Sequence, residues 1–405
     1  MIDTKPFQFR RSSWIVTAAA FVANFVNFGV LFSFGIFLTP IAESFDTSTG
    51  PVAPIFSTAV CFYYLAGAIG GKVSDNIGVR PVVGTGAVFM TLGLVISSQA
   101  SALWMLYLVY APLVGSAVGC CYPSMIGTVG RWFQHRRASA ISLVLAGVGM
   151  GTFIVPIVSR FLIDSWGWRS TLGIYAAFSA VLLILCTVAA ADPPVSQKSS
   201  RLGLATILRS RKFIVLYVAL VLGGPGFYAP LAFYNDHAVS EGISGTAAAV
   251  LVGIIGASSV VARLVISALN DRFVPMHQYR FGQILLLCCL LLWLLAGDSY
   301  VLFASSALLH GIGWAVWFTA APNVLATWFG VADLGGTVGT LYTALGFGAL
   351  AGPAVLGFII DSSGYEIAIA MVMITSVLAW VLCFLPERLH AFSDNQRWFS
   401  KDSGR

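Results

Sequence analysis

One cation stands alone among apolar residues. Arg263 falls in the stretch Thr246 to Leu269, which holds no other charged residue, seven positions before Asn270; at 1.5 Å rise per helical residue that is on the order of 10 Å. Val260, Val261, Ala262, Leu264, Val265 and Ile266 around it are apolar, and Ser259 sits one turn earlier. A guanidinium with no carboxylate within a turn is available for one supplied by a ligand, which it binds through two parallel hydrogen bonds. The competing reading is an acid on another segment, or backbone carbonyls, as its partner. The expected walls of such a site are Leu31, Phe32, Tyr122, Tyr228, Trp314, Phe318 and Tyr342. A tyrosine hydroxyl donates to the second carboxylate oxygen while its ring packs on a short acyl chain. For each ring singly, packing against lipid or core competes with that role. Tyr122 and Tyr342 stand out because they occupy glycine-rich runs, 119–123 and 339–348. Candidate proton sites are Asp236, His237 and His310, set against a solvated helix end for the first two and a satisfied core histidine for the third.

These side chains need elements to carry them, and composition says which. The 405 residues are 58% hydrophobic and only 9% charged, where soluble domains run at about 25% charged. That excludes a soluble enzyme. Six apolar segments run 14–41, 55–73, 81–98, 103–129, 138–163 and 169–190; six more run 213–238, 246–269, 278–296, 300–327, 334–360 and 365–385. About 20 apolar residues cross a bilayer as a helix, so an all-α membrane protein with twelve transmembrane helices is expected. A β-barrel would need short alternating segments. With both termini on one side, all but Arg160, Arg169 and Arg263 of the 22 Lys and Arg fall on that side, which makes it cytoplasmic by the positive-inside rule. The basic residues thus mark orientation rather than a nucleic-acid partner. The first segment is too long for a signal-peptide core, so the N-terminal tail is expected to stay. All seven cysteines lie in apolar stretches without metal-ligand spacing and read as packing residues.

The chain repeats. Asp75 and Asp271, and likewise Trp132-Phe133 and Trp328-Phe329, are 196 apart, while Ile163-Asp164-Ser165-Trp166-Gly167-Trp168 returns 197 residues later as Ile360-Asp361-Ser362-Ser363-Gly364-Tyr365. Chance similarity of two apolar bundles would not hold one shift across such separated polar landmarks. The reading is an N-terminal six-helix half at 14–190, a cytoplasmic linker at 191–212, a C-terminal six-helix half at 213–385 and a cytoplasmic tail at 386–405. Parallel halves of this kind hold their substrate near the midplane between them.

Gly71-Lys72-Val73-Ser74-Asp75-Asn76-Ile77-Gly78-Val79-Arg80 resembles the loop 2-3 signature of the major facilitator superfamily. Within it, Arg131-Trp132-Phe133-x-x-Arg136-Arg137-Ala138, Ala146-Gly147-Val148-Gly149-Met150-Gly151, Gly167-Trp168-Arg169, Gly242-Ile243-Ser244 and Leu341-Tyr342-Thr343-Ala344-Leu345-Gly346 resemble the monocarboxylate transporters and their bacterial oxalate/formate-exchanger relatives. The resemblance implies a carrier that works by alternating access. It also implies that Gly71, Asp75, Gly78 and Arg80 form a conformational latch, closing the two halves on the cytoplasmic side when the outside is open. Ser259-Val-Val-Ala-Arg263 is similar to an Asp-x-x-x-Arg pair of that family with the acid replaced, so the arginine carries over and an Asp-based proton relay does not. Leu345 stands where the oxalate exchangers carry lysine, and Gly29 to Phe37 lacks the lysine of animal monocarboxylate transporters. One cation suits a monoanion.

No P-loop, His-Glu-x-x-His or Cys-x-x-Cys pattern is present, so neither an ATP-driven pump nor a metalloenzyme has residue support, and no cofactor or metal is expected. The expected function is secondary transport of a lactate- or pyruvate-like monocarboxylate across a bacterial inner (plasma) membrane, with a proton as the preferred companion and a counter-anion as the alternative. The partners are then a small organic anion and the lipid bilayer, and the carrier is expected to be a monomer. A facilitator for another small molecule is the second reading, and a non-transporting sensor on a carrier fold is the third.

Overall fold

The computed structural model describes residues 5–133, 137–192, 204–269, 273–329 and 334–385. Asp271, most of the linker (193–203) and the tail 386–405 lie outside the described residues, as does the side chain of Asp75. Every regular element described is helical, as the sequence reading expects: α1 (Lys5–Phe32), α2 (Phe34–Ser44), α3 (Ala53–Ile77), α4 (Val79–Ser98), α5 (Leu103–Leu108), a π turn (Tyr110–Val114), α6 (Gly115–Trp132), α7 (Arg137–Ala189), α8 (Leu204–Leu208), α9 (Arg211–Ser240), α10 (Gly245–Leu269), α11 (Pro275–Leu294), α12 (Tyr300–Phe329) and α13 (Leu334–Leu382). Helices close their own backbone hydrogen bonds, which is what a lipid surround requires. Ten stretches among the described residues are long and apolar enough to cross a membrane.

Two of those stretches, 50 and 47 residues long, are more than twice the length of about 20 residues that one crossing needs. Each divides at a single non-helical glycine, Gly167 (φ 75°) in α7 and Gly364 (φ 83°) in α13, and positive φ is the conformation glycine tolerates best. These are the glycines of the duplicated Ile-Asp-Ser motif. After the first, Trp168 donates to Ser44 Oγ (2.7 Å), while Arg169 donates to the Ala100 carbonyl (3.0 Å) and lies 4.2 Å from the Trp168 ring. The Gly-Trp-Arg run is therefore a brace that fixes the bend to the end of α2 and to the loop after α4.

Before the linker, α1 and α4 pack on α7 and α3 packs on α6; after it, α9 packs on α13 and α12 on α10 and α11. Two large crossings join the sets, α7 with α10 and α3 with α13, and α2 meets α9 in a smaller contact. The glycine run in α7 serves close approach on two sides. A Cβ at Gly147 or Gly151 would stand 2.3 Å from the Phe21 or Phe25 carbonyl of α1, and one at Gly149 would stand 2.8 Å from the Gly256 carbonyl of α10.

The signature resembling loop 2-3 links α3 and α4 to the end of α7. Gly71 packs near Pro123, Gly78 turns at φ 92°, the Val79 N–H donates to Asp192 (3.0 Å) and Arg80 donates to the Val188 and Ala190 carbonyls (3.1 Å each). These contacts all stay within the first repeat and the start of the linker.

Candidate functional site

Four helices before the linker and three after it meet around Arg263. The cavity there is lined by Phe28 and Phe32 of α1, Tyr63 and Tyr64 of α3, Tyr122 of α6, Val148 of α7, Phe227 and Tyr228 of α9, Arg263 of α10, and Trp314 and Phe318 of α12. Small residues let these helices close in. Gly224 of α9 rests on Gly348 of α13, and Gly226 packs beside Ser376, so the two residues after them, Phe227 and Tyr228, are carried inward. About 10 Å³ of free space remains, room for roughly one water molecule, so the centre is closed tightly around the cation.

Arg263 is buried at 7% exposure and its Nε has no hydrogen-bond partner. The guanidinium carbon lies 5.3 Å from the centre of the Trp314 ring, within cation–π range, and the Trp314 indole N–H is itself buried without a partner. Among the described residues no carboxylate lines the cavity and Arg263 forms no ion pair. Ser259, one turn away, spends its hydroxyl on the Gly256 carbonyl (3.1 Å). Across the cavity, the hydroxyls of Tyr64 and Tyr228 bond to each other at 2.6 Å. Tyr63 packs tilted against Tyr64, and Phe28 meets both Tyr63 and Tyr122 edge-on. The arrangement offers donors and a positive charge inside aromatic walls, which is the chemistry of an anion receptor.

Of the residues expected from sequence, Arg263, Phe32, Tyr122, Tyr228, Trp314 and Phe318 come together here. Tyr342 stands beside them, 5.2 Å from Phe318 between ring centres, with its hydroxyl donating to the Phe318 carbonyl (3.1 Å). Leu31 is buried in the core and is not among the lining residues; one residue along a helix turns a side chain by about 100°, and Phe32 takes the inward position. Phe28, Tyr63, Tyr64 and Phe227 were not anticipated. The available signals were the one-turn spacing of Phe28 to Phe32, and the adjacency of Phe227 to Tyr228.

The three proton candidates sit elsewhere. His310 stacks on Phe227 at 5.3 Å and its Nδ1 faces Cys289 Sγ at 3.6 Å. Asp236 and His237 lie near the end of α9, where Asp236 accepts from Tyr365 (2.5 Å) and Thr39, and His237 Nδ1 accepts from the Trp293 indole (2.9 Å). A ring nitrogen already accepting from an N–H has no lone pair left for an added proton unless that bond breaks.

Comparison with known proteins decides the family. The profile of the Major Facilitator Superfamily matches residues 20–323 and again 281–399. The chain belongs to the major facilitator superfamily. Monocarboxylate transporter 11 of Homo sapiens is 32% identical over 372 residues, covering 87% of this chain and 78% of that protein. Monocarboxylate transporter 13 of Rattus norvegicus is 29% identical over 94% of this chain and 90% of its own length, and monocarboxylate transporter 12 of Xenopus laevis 25% identical over the same shares. This facilitator is accordingly an integral membrane transporter rather than an enzyme, and it resembles the monocarboxylate transporters.

Proposed function

We propose that this facilitator carries a small monocarboxylate, of lactate or pyruvate size, across the plasma membrane by alternating access. The observation that carries the reading is Arg263: a buried guanidinium with an unpartnered Nε, no carboxylate lining its cavity among the described residues, and aromatic side chains from both repeats around it. An intramembrane cation of this kind costs at least about 3 kcal/mol on insertion scales, and a substrate carboxylate supplies the missing partner. Reading α7 and α13 as two spans each, and α1–α2 and α5–α6 as one each, gives twelve spans, with halves at 14–190 and 213–385, both termini cytoplasmic and Gly71, Asp75, Gly78 and Arg80 as the cytoplasmic latch. The single-cation cavity favours monoanions over dianions, because a second carboxylate would meet apolar walls unpaired.

Two companion ions balance the charge of a monoanion. A proton travelling with the substrate keeps the loaded step neutral; exchange for a second anion does the same, and the replacement of an acid by Ser259 favours that second reading. Proteoliposomes given labelled lactate- and pyruvate-sized acids from the outside test both. Uptake driven by an inward proton gradient without internal anion supports symport, and uptake that needs internal anion and ignores the gradient replaces it with exchange. No uptake of any short acid, or stronger competition by oxalate than by monoanions, overturns the substrate class.

A further inference from the structure

The end of the bundle that carries the turns at 45–52, Gly242 and Gly364 is tied shut by two carboxylates, both from the second repeat. Asp236, near the end of α9, accepts a hydrogen bond from the Thr39 hydroxyl of α2 and another from Tyr365 (2.5 Å). Asp361 of α13 accepts from the Ser48 hydroxyl (2.5 Å) and from the Gly50 N–H (2.9 Å) in the turn after α2. The backbones themselves touch along this seam: a Cβ at Gly35 would stand 2.7 Å from the Ala232 carbonyl, and one at Gly50 would stand 2.1 Å from the Asp361 carboxylate. The donors from the first repeat are thus neutral hydroxyls and an amide. A charged acceptor roughly doubles the strength of such bonds, and a neutral donor leaves no stranded cation when the seam parts, so the ties are strong enough to hold and cheap enough to release. Asp164, which occupies the Asp361 position in the first copy of the duplicated motif, bonds instead to Arg160 on its own helix (2.7 Å), so the carboxylate tie across the repeats is a specialisation of the second copy.

We propose that Asp236 and Asp361 are the outer latch of the transport cycle, closing the outside entrance by drawing Thr39, Ser48 and Gly50 onto the second repeat. The word "outer" rests on the orientation given under Proposed function; the latch itself rests on the bonds above. It predicts that the full-length carrier opens outward more often when either carboxylate loses its charge.

The test places a reporter thiol at Leu231→Cys, beside the Gly35 contact, in oriented proteoliposomes. A membrane-impermeant maleimide is added from the outside, with the chain lacking the reporter as background. Asp361→Asn and Asp236→Asn should each raise the labelling rate about tenfold, equal to about 1.4 kcal/mol in the opening equilibrium, and together raise it further. Ser48→Ala and Thr39→Val, which delete the donors and keep the carboxylates, should move it the same way, and monodisperse elution of each variant separates opening from misfolding. Wild-type labelling rates in well-folded Asn variants overturn the latch. Faster labelling only from the opposite side keeps the latch and overturns its outer placement. Because labelling needs no substrate, a carrier that rejects every short acid yet labels as predicted loses the substrate reading alone.

Discussion

The two repeats agree in how they cross and differ in what they carry. In one crossing, a Cβ at Gly149 of α7 would strike Val260 of α10 at 2.2 Å; in the other, a Cβ at Gly346 of α13 would meet Tyr64 of α3 at 3.2 Å. These pairs are repeat mates, 149 with 346 and 64 with 260, at the spacing of 196 to 197 read from the sequence. Tyr122 and Phe318, also 196 apart, both line the cavity. The cation breaks the pattern. Arg263 has Gly67 as its mate, and the Cβ position of Gly67 lies 3.6 Å from Pro123, in ordinary contact between α3 and α6. On the proposed function, a duplicated scaffold gives two equivalent surfaces that rock against each other, whereas a monoanion has one carboxylate and needs one guanidinium. Symmetry is kept where motion needs it and lost where the ligand does.

Breaking the asymmetric element should have the largest effect. Arg263→Gln removes the charge and Arg263→Lys keeps it without the planar fork that matches a carboxylate. Both variants should reach the membrane and lose transport by about 100-fold, since a hydrogen bond to a charged partner contributes up to about 3 kcal/mol. Uptake together with surface labelling checks this. Near-wild-type apparent affinity in the Gln variant would remove Arg263 from the site and leave the repeats equivalent in function as well as in packing.

The symmetric element can be probed by unequal loading. A side chain at Gly256 would drive a Cβ to 2.5 Å from the Gly149 carbonyl, a backbone atom that cannot step aside, whereas the contact at Gly346 is with Cβ of a side chain at 3.2 Å. Gly256→Val should therefore lower stability in detergent by about 2 kcal/mol, in the range of overpacked cores, and Gly346→Ala by less. Thermal unfolding of the purified chain measures both. Equal losses would mean that the two crossings are equally tight and that the difference in approach carries no weight.

The sequence makes the repeat, the segments and the cation legible because each rests on a polar residue in apolar surroundings, where a landmark costs free energy and so stands out. The same logic explains what it hides. A helix that is apolar on all sides has no polar face to orient it, so Leu31 and Phe32 are indistinguishable until the backbone is placed, and the pair Tyr63-Tyr64 reads as ordinary aromatic content. The break at Ser33 between α1 and α2 has no such landmark, whereas the π turn at Tyr110–Val114 contains Pro112, whose missing N–H interrupts the helical ladder. The bend glycines Gly167 and Gly364, by contrast, sit in a motif whose repetition was visible, although their positive φ was not.

The finest difference between the repeats is the hydroxyl pair at the cavity, Tyr64 from the first and Tyr228 from the second. Their 2.6 Å bond spans the repeats with both rings buried, so it must break whenever the two surfaces separate there. Each phenol then needs a new partner, and a substrate carboxylate already held by Arg263 is an acceptor within the same aromatic enclosure. Tyr64→Phe and Tyr228→Phe each remove one donor and strand the other hydroxyl, whereas the double variant removes both and strands nothing. A buried hydroxyl left without a partner costs about 1–3 kcal/mol, so the two single variants should each weaken substrate affinity or stability by several-fold, and the double should fall short of their product by about 1 kcal/mol of coupling. Titration of a labelled monocarboxylate onto the purified carrier, read as a double-mutant cycle, measures that coupling. Strict additivity would show that the two hydroxyls act independently, and the pair would then drop out of the contact between the repeats.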